Sequence, residues 1–214
     1  MIKRNKWLLL ITSIVILMPM VVGLILWNSM PERVPMHWNF SGEVDGWGSR
    51  TALVFVMPLV MLGFQWLCIL GTFLDPKNKK NQGKVLSLVL WICPVVCNLV
   101  SGLTYAYALG YKISVAIIMS FAMGLIFVII GNYLPKCKQN YTIGIKIPWT
   151  LNNEGNWVKT HRFAGRLWVL CGGIIMATSI LGNFILFMAV VLVMVIFPFI
   201  YSYAYYRRHS KEEA

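Results

Sequence analysis

Residues 167–206, LWVLCGGIIMATSILGNFILFMAVVLVMVIFPFIYSYAYY, offer a turn signal only at Gly182-Asn183. Read as one helix, the stretch would run about 60 Å at roughly 1.5 Å per residue, twice the ~30 Å hydrocarbon core of a bilayer. Two spans joined by a tight hairpin satisfy both limits. That reading makes the number of spans even and puts both chain ends on one side of a membrane.

Working outward, four further stretches are long and apolar enough to cross: 7–29, 51–74, 85–109 and 113–134. The first half of the final hairpin is short, so its helix is expected to begin before Arg166, whose stem reaches back to the interface. A chain that is 58% hydrophobic and 12% charged, with a mean hydropathy of +0.70, fits an all-α integral membrane protein of six transmembrane helices. The segments expected are 1–84, 85–134 and 135–214, all within one membrane domain. The apolar stretch near the amino end is long and no small-residue cleavage site follows it, so it reads as a signal anchor.

Positive charge orients the chain. All but Arg33, Arg50 and Lys112 of the 19 lysines and arginines fall in the two tails, the loop near residue 80 and the 135–166 insert, so both termini and that insert are expected to be cytoplasmic and the 30–50 insert external. The net charge of +12 follows from this rule. With no clustered basic helix or reading motif, direct nucleic acid binding is not expected. Of the five cysteines, Cys68, Cys93, Cys97 and Cys171 lie in spans and Cys137 at a helix end, which implies no disulfide framework.

Ionisable residues in mid-span mark ion or proton paths, and these spans have none, which argues against a pump or coupled transporter. Gln65 and Asn98, the main polar side chains at depth, are expected to bond between helices. Pro19, Pro94 and Pro198 should kink their helices. Ser120 with Gly124, and Gly173 with Ala177, give small-residue faces for close packing.

In the 30–50 insert, Val34, Met36, Trp38 and Phe40 alternate with Pro35, His37, Asn39 and Ser41, a strand period. Ser41-Gly42 and Asp45-Gly46 supply turns, so a hairpin-like cap is expected, with His37 on its wet face. His37, Glu43 and Asp45 are metal-ligand types, but their spacing matches no metal signature and one histidine is available; a hydrogen-bonded or peptide-contacting histidine is the reading taken, with no metal and no cofactor. In the 135–166 insert, Tyr141, Ile143, Ile145 and Ile147 alternate with Thr142, Gly144 and Lys146 until Pro148, which predicts a short extended segment there too. A helix then begins, with Thr150 as N-cap. Trp157, His161, Ala164 and Trp168 share one stripe of it, and Lys159, Arg162 and Arg166 lie off that stripe.

These residues carry a resemblance. Asn140, Gly144-Ile145-Lys146, Pro148-Trp149-Thr150-Leu151, Trp157, Thr160-His161-Arg162 and Ala164-Gly165 resemble the signature of the SdpI family of bacterial immunity membrane proteins. The run Pro31-Glu32-Arg33-Val34-Pro35-Met36-His37-Trp38-Asn39, with Gly42 and Asp45, is similar to the domain that usually precedes that signature. Tyr141 stands where an arginine is common in the family, and Lys146 replaces a usual arginine, keeping the charge but losing the bidentate fork. The resemblance implies a multi-pass protein of the bacterial cell membrane that confers resistance to a secreted antibacterial peptide toxin which collapses the proton-motive force. It also implies a signalling role in which the toxin-bound protein holds a cytoplasmic transcriptional repressor. Besides the lipid bilayer, the partners expected are therefore that peptide and that repressor. Candidate peptide contacts are Pro35, His37, Trp38, Asn39, Gly42, Asp45 and Trp47. The cytoplasmic signature comprises Asn140, Gly144, Lys146, Pro148, Trp149, Thr150, Trp157, Thr160, His161, Arg162 and Gly165.

Two other classes stand beside this. A membrane enzyme would use His161 with Glu154, but His37, His161 and His209 fall in separate places and no serine or cysteine nucleophile motif is present, so no catalytic residue is expected. A passive exporter is the third class. Finally, each insert follows the first span of a three-span half, after Pro31 or Pro135, as in inverted repeats that flank a midplane site.

Overall fold

A computed structural model describes residues 2–39, 42–77 and 83–209, with side chains of the first helix from Asn5 onward. Phe40 and Ser41 of the expected alternation and turn, and the cations Lys79, Lys80 and Lys211, lie outside the described residues, as do the side chains of Lys3 and Arg4. Six helices among the described residues are long and apolar enough to cross a membrane: Asn5–Ile25, Ala52–Leu74, Lys84–Ala108, Val115–Lys136, Glu154–Leu181 and Phe184–His209. The hairpin reading of 167–206 holds. Gly182 stops one helix with φ +59, and the Asn183 side chain accepts from Leu186 N at 3.0 Å to open the next.

The chain forms two compact units, Met1–Phe73 with Leu86–Val115, and Leu74–Val85 with Ala116–Ala214. The first contains α1 (Ile2–Ile25), the hairpin strands β1 (Arg33–Trp38) and β2 (Val44–Ser49), α2 (Met57–Leu74) up to Phe73, and α3 (Lys84–Ala108) from Leu86. The second contains α4 (Val115–Tyr133) from Ala116, the short α5 (Pro148–Asn152), α6 (Glu154–Thr178) and α7 (Phe184–His209).

Prolines organise the helix contacts within each unit. Pro19 has no N–H for the Val15 carbonyl one turn back, and Asn98 of α3 donates to that carbonyl at 2.8 Å. Pro198 likewise strands the Met194 carbonyl in α7, and the Trp168 indole of α6 donates to it at 3.0 Å. A carbonyl facing hydrocarbon has no water to accept from, so each donor fixes a helix pair one turn before its proline. Gln65 joins α2 to α1 through Thr12 Oγ1 at 3.0 Å. Pro58, near the start of α2, is preceded by a π turn at Ala52–Val56 in which Met57 N donates to Ala52 O.

This compensation is testable. Trp168→Phe keeps the edge contact on Phe127 (5.7 Å between ring centres) and removes only the donor, for an expected loss of about 1 kcal/mol in thermal unfolding in micelles. In a Pro198→Ala background, the substituted alanine supplies its own N–H and the same change should cost almost nothing. Equal losses in both backgrounds would refute the pairing.

The small-residue contact between α4 and α6 differs from expectation. A Cβ on Gly172 would lie 2.6 Å from Gly124 O, and one on Gly165 would lie 2.7 Å from Gly131 O, whereas a Cβ on Gly173 meets nothing within 4 Å. Gly124 is used, but its partner is Gly172, and the Gly173–Ala177 face is not the packed one; the contact repeats every two turns, 124 to 131 against 172 to 165.

Candidate functional site

In the 30–50 insert, β1 and β2 pair antiparallel, with Pro35 opposite Trp47, His37 opposite Gly46 and Trp38 opposite Val44. The register shifts on either side of His37, so the strict alternation fails: Val34 and Pro35 are both buried, and Met36 and His37 are both exposed. Each shift gives one strand an extra residue and rotates the next side chain. Val34 anchors the hairpin to Met30, Leu53, Val54 and Tyr105. Trp38 sets its edge on Tyr107 at 6.0 Å. Arg50 closes the base, donating to Trp27 O and Met30 O at 3.0 and 3.1 Å while lying 4.6 Å above the Trp27 ring.

Of the candidate contacts here, Pro35 and Trp38 serve packing and Asn39 holds the turn, its Oδ1 accepting from Glu43 N at 3.0 Å. Gly42, with φ +80, makes the bend. His37, Asp45 and Trp47 face outward. The His37 ring bonds Asp45 through Nδ1 at 2.5 Å, and Trp47 is 52% exposed. Glu43 turns to Asn39.

The 135–166 insert is a knot. Asn140 is its centre: Nδ2 donates to Lys138 O and Ile143 O, both at 2.8 Å, and Oδ1 accepts from Thr142 N at 2.8 Å and Ile143 N at 2.6 Å. Besides these four backbone groups, the amide accepts from Thr142 Oγ1 and donates to Cys137 Sγ, and it folds 138–143 into a loop. No strand forms over 141–147 among the described residues: 141–144 bend, because Asn140 draws Thr142 and Ile143 inward and Gly144 turns with φ +111, and extended backbone returns at Ile147 (φ −123, ψ 157) before Pro148. A Cβ at Gly144 would stand 2.5 Å from His161 Nε2, and that closeness lets Ile145 N donate to Nε2 at 3.0 Å. The other ring nitrogen, Nδ1, donates to Trp157 O at 2.8 Å. The His161 ring stacks on Trp157, centres 4.0 Å apart, and the Trp157 indole donates to Cys137 O at 2.8 Å.

Thr150 is not the N-cap of the long helix. It lies inside α5, where Oγ1 accepts from Ile147 N at 3.1 Å and donates to Ile145 O at 2.8 Å. The cap of α6 is Asn153, whose side chain accepts from Asn156 N at 2.7 Å. The stripe of α6 is otherwise as expected: Trp157, His161 and Ala164 are buried, and Lys159, Arg162 and Arg166 exposed. Thr160 donates to Asn156 Oδ1 at 2.8 Å, and Ser202 of α7 donates to the same atom at 2.7 Å. Gly165 meets α4. Trp149 packs on Phe199, Tyr203 and Tyr206 of α7. Lys146 and Pro148 are exposed, and Lys146 Nζ donates to Thr142 O at 3.1 Å.

The signature therefore divides. Asn140, Gly144, Thr150, Trp157, Thr160, His161 and Gly165 build the platform; Lys146, Pro148 and Arg162 present outward, with Trp149 half-buried at the edge. Both nitrogens of His161 are engaged in a ring that is 0% exposed, and Glu154 sits exposed about two turns away. In this geometry His161 has no lone pair to offer a substrate.

Three contributors escaped the sequence reading. Asp75 accepts from Tyr141 N at 2.7 Å and Thr142 Oγ1 at 3.1 Å through one oxygen, and from Lys77 N at 2.9 Å through the other. Its signal was that of a lone acid in a basic loop. Gln139 donates to Thr150 O and Leu151 O at 2.7 and 3.0 Å. Cys137 packs with Val85 and Trp157, and burial pushes its thiol up to about 11, only partly offset by the Asn140 side chain. Thiolate is scarce at pH 7.5 in such a group, so Cys137 should react with N-ethylmaleimide only after denaturation; peptide mapping that finds it alkylated in folded protein would refute its burial.

Residues 136–202 match the SdpI/YfhL protein family, and residues 14–62 match a domain of unknown function, DUF1648. The chain is 27% identical over 209 residues to "Immunity protein SdpI" of Bacillus subtilis (strain 168), covering 96% of this chain and 97% of that protein. No solved structure matches.

Proposed function

As a multi-pass bacterial membrane protein with the SdpI/YfhL family signature at residues 136–202, this chain is, we propose, an immunity protein. It protects the cell that makes it against a secreted antibacterial peptide. The end-to-end relation to an immunity protein carries the reading, and the exposed residues of the 30–50 insert support taking it as the surface that meets the peptide. The 30–50 insert is fixed to its helices by Val34, Trp38 and Arg50 and offers His37, Asp45 and Trp47 to the external solution, given the orientation set by the positive charges. A rigid aromatic side chain beside a paired imidazole and carboxylate suits an amphipathic peptide.

The 135–166 insert, on the cytoplasmic side, supplies a second surface. Lys146 and Arg162 are exposed there and Trp149 borders them, so a repressor held at the membrane would meet these residues, not the buried His161. Output would require two states of the protein with different affinities for the peptide. The enzyme alternative loses support because His161 is consumed by the fold.

The test is survival of a toxin-sensitive Gram-positive strain expressing this chain, challenged with the peptide toxin of an SdpI-encoding strain, with membrane abundance measured in parallel. Protection is expected, and Trp47→Ala and His37→Ala should reduce it about tenfold or more in tolerated dose at unchanged abundance. Full protection by the double variant would remove the 30–50 insert from recognition. No protection by the parent chain would overturn the immunity reading for that peptide.

A further inference from the structure

Between α6 and α7 lies an open groove of about 520 Å³, lined by Lys159, Tyr201, Ala204, Tyr205, Arg208 and His209. Lys159 and Arg208, both exposed, bring two cations from different helices to one space, and no carboxylate lines it among the described residues. Like charges so placed repel unless an anion sits between them. Lysine supplies a point charge and arginine a planar fork, the pair suited to phosphate oxygens, and Tyr201 and Tyr205 line the same groove.

What lies below the groove identifies the anion's carrier. Phe163 of α6 lies flat on Tyr201, centres 4.6 Å apart and planes 9° apart, forming an aromatic floor. From Arg208, steps of three and four residues along α7 pass Ala204 and reach Ile200 and Phe197, which are 56% and 51% exposed. On α6, Lys159 leads through Phe163 to Leu170, 63% exposed. A basic mouth thus continues into apolar tracks on both helices. Trp149 with Tyr203 and Tyr206 marks headgroup depth at this end of α7. A soluble phosphate would have no use for the apolar tracks.

We propose that this groove is a binding site for an anionic phospholipid, seating a phosphodiester headgroup such as that of phosphatidylglycerol between Lys159 and Arg208, with acyl chains along Ile200, Phe197 and Leu170. Basic pockets between membrane helices are suited to such headgroups. The site is independent of the immunity reading, since it uses neither the 30–50 insert nor Lys146 and Arg162.

Full-length protein in neutral detergent would be titrated with phosphatidylglycerol, phosphatidylcholine and inorganic phosphate, with lipid retention read by native mass spectrometry and stability by thermal unfolding. Phosphatidylglycerol is expected to remain bound and raise the midpoint; the other two are not. Lys159→Gln with Arg208→Gln should weaken retention at least tenfold, whereas Lys84→Gln with Lys112→Gln, which removes the same charge elsewhere, should not. Both pairs are exposed, and matching unfolding midpoints without lipid would show that folding is intact. Equal retention by the groove variant, equal retention of phosphatidylcholine, or equal stabilisation by inorganic phosphate would each overturn the proposal. If the groove variant fails to fold, Arg208→Lys alone must still show weakened retention, from loss of the fork, or the proposal falls.

Discussion

Gly144→Ala is expected to leave little folded protein in the membrane. The backbone there has φ +111, a region that costs a residue with a side chain about 1–3 kcal/mol. The new Cβ would also lie 2.5 Å from His161 Nε2 and 3.1 Å from Trp157 Cζ2. Neither ring can retreat easily: His161 is held at both nitrogens, and Trp157 is 0% exposed and bonded to Cys137 O. Overpacking of that kind adds about 1–3 kcal/mol, for a total on the order of 3 kcal/mol or more. That is a large share of the ~5–15 kcal/mol that holds a domain together. The measurement is thermal unfolding in micelles together with membrane yield. Combining Gly144→Ala with His161→Ala should cost less than the sum of the two, because the clash with the ring disappears while the backbone strain remains. A wild-type midpoint for the single variant would mean that Gly144 and His161 do not meet.

The transmembrane architecture was legible because hydrocarbon imposes one condition on every residue of a span. Helix length, the Gly182-Asn183 break and the positions of Gln65 and Asn98 all follow from it. The inserts were less legible, because their shape depends on single side chains whose partners lie elsewhere in the chain. Alternation at 34–41 and at 141–147 signalled strand in both. The first pairs with β2 but with two register shifts; in the second, Asn140 competes for the same backbone groups and bends the segment. Thr150 looked like a cap from its type and place, yet Asn153, a stronger capping residue nearer Glu154, takes that role. Gly173 and Ala177 had the right spacing for helix packing, and spacing alone does not say which face of α6 turns to α4. His161 drew attention as a titratable residue within a motif. Its role emerged only from the partners of its two nitrogens, one of which is a backbone amide on a different element.

Asp75→Ala is the second large effect, and it separates a fold-defining acid from a surface one. Asp75 is 6% exposed and takes three donors on two oxygens. Tyr141, one of those donors, is 66 residues away in sequence. Removing the side chain strands Tyr141 N and Lys77 N in a partly buried place, at a cost of about 2–3 kcal/mol. Asp75→Asn is not conservative here. An amide has one oxygen, so its NH₂ must face either Lys77 N or the Tyr141–Thr142 pair, placing donor against donor. Its expected loss is therefore more than half that of alanine. Because Asn140 draws on the same loop, releasing Asp75 should loosen 138–146 before the helices melt. In vesicles that expose this side, trypsin should cut after Lys138 and Lys146 several times faster in the Asp75 variants than in the parent, with cleavage in the 30–50 insert unchanged when that face is exposed instead. If digestion and the unfolding midpoint both match the parent, Asp75 does not organise the loop, and Asn140 alone must account for its shape.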